Sequence, residues 1–370
     1  MNRTITGLEG LRGVAALFVV LFHMQISLPE LGLARNGYLA VDLFFVLSGF
    51  VIAGAYGKRV ASGAELAHFL VRRAGRLWPT HIVTNALFYI LPSAFGMAAL
   101  ALGAENVKLS FPNTGEAIGL ILMLHGLPIY DHFVGSLVSW STSVEFYVYV
   151  LFGVVCLLVR GRARSMAYLA LAGIGYTTAV WAAAHSNDCV ARLFCFSLTY
   201  DYGWARCLAG FFLGALIAEH RNAAPVVAMT RPVVQIVAFT AAMSLMLFAN
   251  HAYGSVYFAP AVFAMAIASM SRDTGPVSRI LRTRPAQYLG SLSYSLYLGH
   301  AVLLPILIAI SRTWRTSIGH VVAGALFLAA SIALARLLNR AIEIPFREKV
   351  YAWADAEFRP RPAGSVASDR

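Results

Sequence analysis

Residues 10–24 read GLRGVAALFVVLFHM, an apolar run broken by one arginine near its start and one histidine near its end. No small-residue cleavage site follows and further apolar runs come at once, so this is a retained membrane span rather than a signal peptide. Arg12 and His23 stand eleven residues apart, which is three helical turns, one face and ~16 Å of axis. A cation at the cytoplasmic boundary and an imidazole in the outer half of the membrane suit a long ligand with phosphates below and a reactive end above. The structural alternative has Arg12 snorkelling or pairing with Glu9, and His23 bonded to a neighbouring helix.

The rest of the chain repeats the pattern. With 59% hydrophobic and 12% charged residues among 370, and a mean hydropathy of +0.69, the apolar material exceeds what a soluble core needs. A ruler of about 20 residues per crossing marks spans near 10–29, 38–56, 77–100, 139–159, 166–184, 203–219, 231–249, 253–270, 287–311 and 318–338. The sequence therefore predicts an all-α polytopic membrane protein with about ten transmembrane helices and both termini cytoplasmic. The apolar stretch 117–129 is too short to cross and is expected to be re-entrant or interfacial.

The positive-inside rule supports this count. It leaves only Arg35, Lys108, Arg192, Arg312 and Arg315 outside, while Arg72, Arg73, Arg76, Arg279, Arg282, Arg284 and the RGRAR run at 160–164 lie inside. A net charge of +12 spread over short clusters between spans sets topology and does not point to nucleic acid. Residues 1–357 form one membrane domain, and 358–370 a polar, disordered cytoplasmic tail. Cys156, Cys189, Cys195 and Cys207 lack metal-ligand spacing, so no metal is expected. Cys189 and Cys195 read as free thiols, with a disulfide as the alternative if their loop faces an oxidising compartment.

Ionisable and polar groups within the spans are the candidates for chemistry, with helix–helix bonding as the bland reading of each. YLAVDLFFVLSGFVIAGAY at 38–56 carries Asp42 at a depth similar to His23, where a carboxylate orients an imidazole and raises its basicity; the alternative is an interfacial cap. In FLVRRAGRLWP at 69–79, Arg72, Arg73 and Arg76 gather on one side of a helix, suited to several phosphates or to anionic lipid. SWSTSVEFYVYV at 139–150 sets Glu145 two turns deep with Ser141 and Tyr149 on its face. Glu145 is expected to serve His23, or to pair with Arg206 as a structural ion pair. SYSLYLGH at 293–300 aligns Ser293, Tyr297 and His300 as the lining of a cavity or as interhelical bonds.

In this order the segments resemble the acyltransferase-3 family of bacterial membrane O-acyltransferases. Arg12 and His23 match the family's pattern of Arg, ten residues, His; VDLFFVLSGF, RRAGRLWP, SWSTSVEF, SYSLYLGH and EIPFR match its later blocks. Gly299 departs from it, standing where an aromatic residue usually precedes the last histidine. The resemblance implies an inner-membrane enzyme moving an acyl group, usually acetyl, from cytoplasmic acyl-coenzyme A to a hydroxyl of a glycan, lipid-linked sugar or similar acceptor at the outer side. His23 becomes the essential histidine, Glu145 or Asp42 its carboxylate partner, and Arg12, Arg72, Arg73 and Arg76 the coenzyme A site. Ser141, Arg206, Tyr297 and His300 are left to touch substrate. The rival reading is a sugar or anion transporter using the buried charges as a proton relay.

Overall fold

The computed structural model describes residues 5–28, 34–101, 111–185, 195–248 and 254–358. Among these residues there are helices and no strand. They are α1 (Thr6–Ser27), α2 (Ala40–Tyr56), α3 (Gly63–Ala101), α4 (Thr114–Ile121), α5 (Ser139–Leu158), α6 (Gly161–Ala184) and α7 (Gly203–Glu219), then α8 (Ala224–Met229), α9 (Pro232–Phe248), α10 (Ala259–Ser269), α11 (Pro276–Leu281), α12 (Arg284–Thr313), α13 (Ser317–Leu338) and α14 (Ile344–Phe358). Each expected span falls on a helix. Among the described residues six stretches are long and apolar enough to cross a bilayer: Thr6–Gln25, Gly37–Tyr56, Ser139–Leu158, Gly161–Ala184, Arg284–Thr313 and Ser317–Phe358. Pro232–Phe248 and Ser255–Ser269 are apolar but shorter. The expected tail lies outside the described residues from position 359 onward.

Helices without a hydrophobic drive to associate in lipid pack through small residues that let backbones touch. Two such contacts set the frame. On α2 and α7, a Cβ at Gly49 would fall 1.8 Å from the Phe211 carbonyl oxygen, and one at Gly214 would fall 1.9 Å from that of Val46. On α1 and α12, a Cβ at Gly13 would meet the Gly290 nitrogen at 2.4 Å. Ten residues further along both helices His23 meets His300, so α1 and α12 run parallel and in fixed register. Asp273 anchors the start of α1 by accepting from the Thr6 and Gly7 amides at 3.1 and 2.9 Å, a favourable place for a carboxylate.

The segment 111–138 descends beside α3 and returns. Asn113 and Glu116 close a reciprocal capping box at the start of α4. Its C-terminal end breaks at Met123, whose φ is +53°, and the carbonyls freed there all find donors on α3 or α5. His81 Nε2 donates to Leu120 O at 3.1 Å, Trp78 Nε1 to Ile121 O at 2.8 Å, Tyr147 OH to Leu122 O at 3.0 Å, and Ser143 Oγ to Met123 O. On the way back, Asn85 Oδ1 accepts from Ser136 N and Tyr89 OH from Gly135 N, at 2.8 and 2.9 Å. Irregular backbone at membrane depth is tolerated only with such satisfaction. From Trp78 to Tyr89 is eleven residues of α3, so the excursion is ~16 Å deep.

Candidate active site

Helices α1, α2, α3, α5 and α12 enclose a cavity of about 770 Å³ lined by Arg12, Arg73, Arg76, Glu145, Tyr149, Ser293 and Tyr297. Its far neighbour, of about 1350 Å³, is lined by His23, Tyr38, Phe133, Trp140, Asp201, Arg206 and Tyr297. Val41 and Tyr297 line both cavities. The two spaces are therefore back to back, and Tyr297 is part of the wall between them. Its hydroxyl shares a hydrogen bond of 2.7 Å with Ser141 Oγ.

In the first cavity the basic residues are held but not exhausted. Arg76 pairs with Glu343 and Arg73 Nη2 donates to Tyr351 OH at 3.2 Å, while the buried Nε atoms of Arg12 and Arg73, like that of Arg72, have no hydrogen-bond partner. Buried Ser293 Oγ is also unpartnered. Donors left over in this way fit an anionic ligand. Arg73 and Arg76 line this cavity and Arg72 does not, as one step of ~100° around α3 separates Arg72 from Arg73. Arg72 turns to α14, bonding Asp355 at 2.7 Å and stacking 3.8 Å from the Tyr351 ring.

Glu343 is the functional-site residue that reading single spans misses, although it begins the EIPFR block. It is 1% exposed and accepts from Arg76, from Ser295 Oγ at 2.6 Å and from Asn339 Nδ2 at 3.1 Å. It ends a π-helical turn, Asn339–Glu343, two residues before Pro345, whose missing N–H disrupts the regular ladder. An acid just ahead of that proline was the available signal.

The expected carboxylate partners of His23 are placed elsewhere. Asp42 is fully buried, and Arg206 grips it through Nε at 3.1 Å and Nη2 at 2.6 Å. Arg206 also donates to Leu198 O at 2.7 Å. This corrects one expectation, since Arg206 pairs with Asp42 and not with Glu145; Arg206 also lines the histidine-bearing cavity. Glu145 accepts from Tyr149 OH at 2.6 Å, which in turn accepts from Ser48 Oγ at 2.8 Å, all on the side of the basic cavity. Among the described residues no hydrogen bond joins His23 to Asp42 or Glu145.

The neighbour of His23 is His300. His300 Nε2 lies 3.2 Å from His23 Nδ1, and His23 Nδ1 lies 3.0 Å from Val19 O. His300 is fully buried and lines neither of these two cavities; Ser141 and Tyr297 do line the basic cavity. At the mouth of the larger cavity Phe133 and Tyr200 pack edge to face at 4.8 Å, with Thr199, Ser197 and Asp201 alongside. The adjoining Cys195 is disulfide-bonded, a correction to the free thiols expected. Cys189 lies outside the described residues, and Cys156 and Cys207 are free.

Fold and cavities together define a polytopic, all-helical membrane protein with a basic chamber and a histidine-bearing chamber sharing one wall. The chain belongs to the acyltransferase-3 family, whose acyltransferase domain matches residues 5–340. It is similar to the peptidoglycan O-acetyltransferase OatA of Listeria monocytogenes, with 24% identity over 373 residues, covering 94% of this chain and 56% of that protein. It is equally similar, at 24% identity over 374 residues, to the putative peptidoglycan O-acetyltransferase YrhL of Bacillus subtilis, covering 94% and 55%. A shorter match, 46% over 81 residues, links 22% of the chain to 41% of protein 2 in the picA locus of Rhizobium radiobacter. The chain thus spans a little over half the length of the two acetyltransferase relatives. No solved structure matches it.

Proposed function

We propose that this protein is an O-acyltransferase of the bacterial inner membrane, moving an acyl group, with acetyl the first choice, from cytoplasmic acyl-coenzyme A to a hydroxyl of a cell-envelope glycan or lipid-linked sugar. The observation that carries this reading is the shared wall, with unpartnered guanidinium nitrogens on one side and His23 on the other. Arg12, Arg73 and Arg76 would take the phosphates of the donor, leaving its flexible arm to bring the thioester toward Tyr297. The aromatic pair Phe133 and Tyr200 beside Asp201 and Thr199 suits the apolar face and hydroxyl rim of a sugar ring.

In this mechanism His23 Nε2 takes the proton of the acceptor hydroxyl as its oxygen attacks the thioester carbonyl. The carbon–sulfur bond breaks, the thiolate leaves, and the proton held by His23 passes to it. Tyr297 and Ser141, hydrogen-bonded to each other, are the hydroxyls at the wall; both also face Val138 O, at 3.2 and 3.0 Å, so one of them must turn from that carbonyl to donate to the developing oxyanion. The Asp42–Arg206 pair is assigned a structural part, bracing α2 against α7.

The proposed orientation has ten crossings, both termini inside and 111–138 re-entrant from outside. The basic clusters on one side and the disulfide-bonded Cys195 on the other support it, since disulfides persist in oxidising compartments. Residues 1–357 would form the catalytic unit and 358–370 a cytoplasmic tail.

The test is calorimetric binding of acetyl-coenzyme A to the purified protein in nanodiscs, with wild type compared with Arg12→Ala and Arg73→Ala, followed by acetyl transfer to extracted envelope glycan by wild type and His23→Ala. Saturable binding lost in the arginine variants, with transfer lost in His23→Ala, is expected. A folded wild type that binds no acetyl-coenzyme A would overturn the reading.

A further inference from the structure

A general base needs a bare nitrogen, and a histidine has two. Which one is bare depends on what the other is bonded to. His300 Nδ1 lies 3.0 Å from Leu296 O. A carbonyl only accepts, so in the neutral ring Nδ1 carries the proton and Nε2 is bare. That bare Nε2 is the atom 3.2 Å from His23 Nδ1, and the other atom facing His23 Nδ1, Val19 O at 3.0 Å, is also an acceptor. His23 Nδ1 must therefore donate. The proton sequence then runs one way, from His23 Nδ1–H to His300 Nε2 and from His300 Nδ1–H to Leu296 O. His23 Nε2 is left bare at the histidine-bearing cavity, and it has no hydrogen-bond partner among the described residues.

We infer that His300 is a positioning residue for acyl transfer, which accepts from Nδ1–H of His23 and stabilises the imidazolium formed when Nε2 takes the acceptor's proton. This rests on His23 being the base. The role is one that a carboxylate fills in many enzymes with a histidine base. Asp42 is committed to Arg206 and Glu145 to Tyr149, and Asp201, which lines the cavity with His23, accepts from the Thr199 amide at 2.9 Å. Val19 O is a weaker second acceptor, because it sits four residues back on α1 and is shared with the helix ladder. The backbone contact of Gly13 with Gly290 holds the two rings at one level. During the step His300 stays neutral: its Nε2 receives a stronger hydrogen bond, and the only proton in transit goes from the acceptor hydroxyl to His23 and then to the departing thiolate.

Two arms test this on the full-length protein in nanodiscs. Nitrogen-15 NMR of histidine-labelled protein reads the protonation of each ring nitrogen without needing an acceptor. The expected pattern is a protonated Nδ1 and bare Nε2 on His23 facing a bare Nε2 on His300; the opposite pattern overturns the inference. The kinetic arm uses radiolabelled acetyl-coenzyme A and extracted envelope glycan with His300→Phe, His300→Gln and His23→Ala. His300→Phe should lower kcat about a hundredfold with the KM for acetyl-coenzyme A unchanged. His300→Gln, whose amide oxygen can accept from Nδ1–H, should stay within about tenfold of wild type. Equal loss in both His300 variants, or none in His300→Phe, overturns the positioning role. Full activity in His23→Ala would instead remove the base reading on which that role stands.

Discussion

Arg206 holds Asp42 by two nitrogens, at 3.1 and 2.6 Å, in a site where both side chains are at most 2% exposed. A buried pair of this kind costs little to replace as a unit but much to halve, since a lone charge stays behind. Asp42→Asn or Arg206→Met alone should lower unfolding stability by about 3–5 kcal/mol. Asp42→Leu combined with Arg206→Met should recover most of that, read by thermal unfolding in detergent. Acetyl transfer per folded molecule should survive in the double variant; its abolition would return Asp42 to the chemistry.

The division of the arginine triplet gives a second outcome. Arg12→Ala and Arg73→Ala each remove a donor from the basic cavity and should weaken acetyl-coenzyme A binding about tenfold, the magnitude of one charge-assisted hydrogen bond. Arg72→Ala should change it by less than about threefold, because Arg72 is absent from the cavity lining and its charge is paired with Asp355. Calorimetry on the three variants decides; equal losses would mean that the ligand covers the α3–α14 seam as well.

At the outer lip of the descending segment, His132 bridges Asp131 and Glu116 at 2.7 and 2.9 Å. Those two bonds raise its pKa above the ordinary 6.5, Asp131 first, and its own bonds lower the pKa of both carboxylates. The raised histidine contributes fully below 6.5 and loses that contribution as pH climbs through its folded value. The carboxylates contribute above their ordinary 4.5 and 3.8 and lose it as pH falls. Hydrogen exchange of 113–132, corrected for intrinsic rate, should thus be slowest between these limits and faster toward alkaline pH. His132→Gln should flatten the profile; an unchanged profile would remove the bridge as its source.

A reductant that cannot cross membranes should reach the Cys195 disulfide in intact cells if that loop is external, and should not if it is internal. Cys195→Ser should cost about 2–4 kcal/mol, the usual range for a disulfide, and should raise the KM for acceptor more than that for acetyl-coenzyme A, because Ser197 and Thr199 follow it into the cavity lining. Thermal unfolding with and without the reductant measures the first effect.

Positions along single helices were legible in the sequence, because hydropathy fixes where a segment is apolar and period fixes which residues share its face. This is why Ser141, Glu145 and Tyr149 of α5 line one cavity together, as do Ser293 and Tyr297 of α12, and why the too-short stretch 117–129 falls within a descending segment. What spacing cannot carry is which helix lies beside which. Asp42 and His23 match in depth, yet α2 packs hardest on α7 and α1 on α12, so Asp42 finds Arg206 and His23 finds His300. Glu343 escaped notice for the same reason: its partner Arg76 is 267 positions away, brought near by α14 folding back along α3.

Tyr297 faces both chambers, which makes the barrier between the two sides of the protein about one side chain thick at that place. A two-carbon fragment could be passed around such a plug while hydrated ions, which need a continuous file of water, are refused. In the proposed reaction the ring that separates donor from acceptor would also serve as electrical insulation between the two sides.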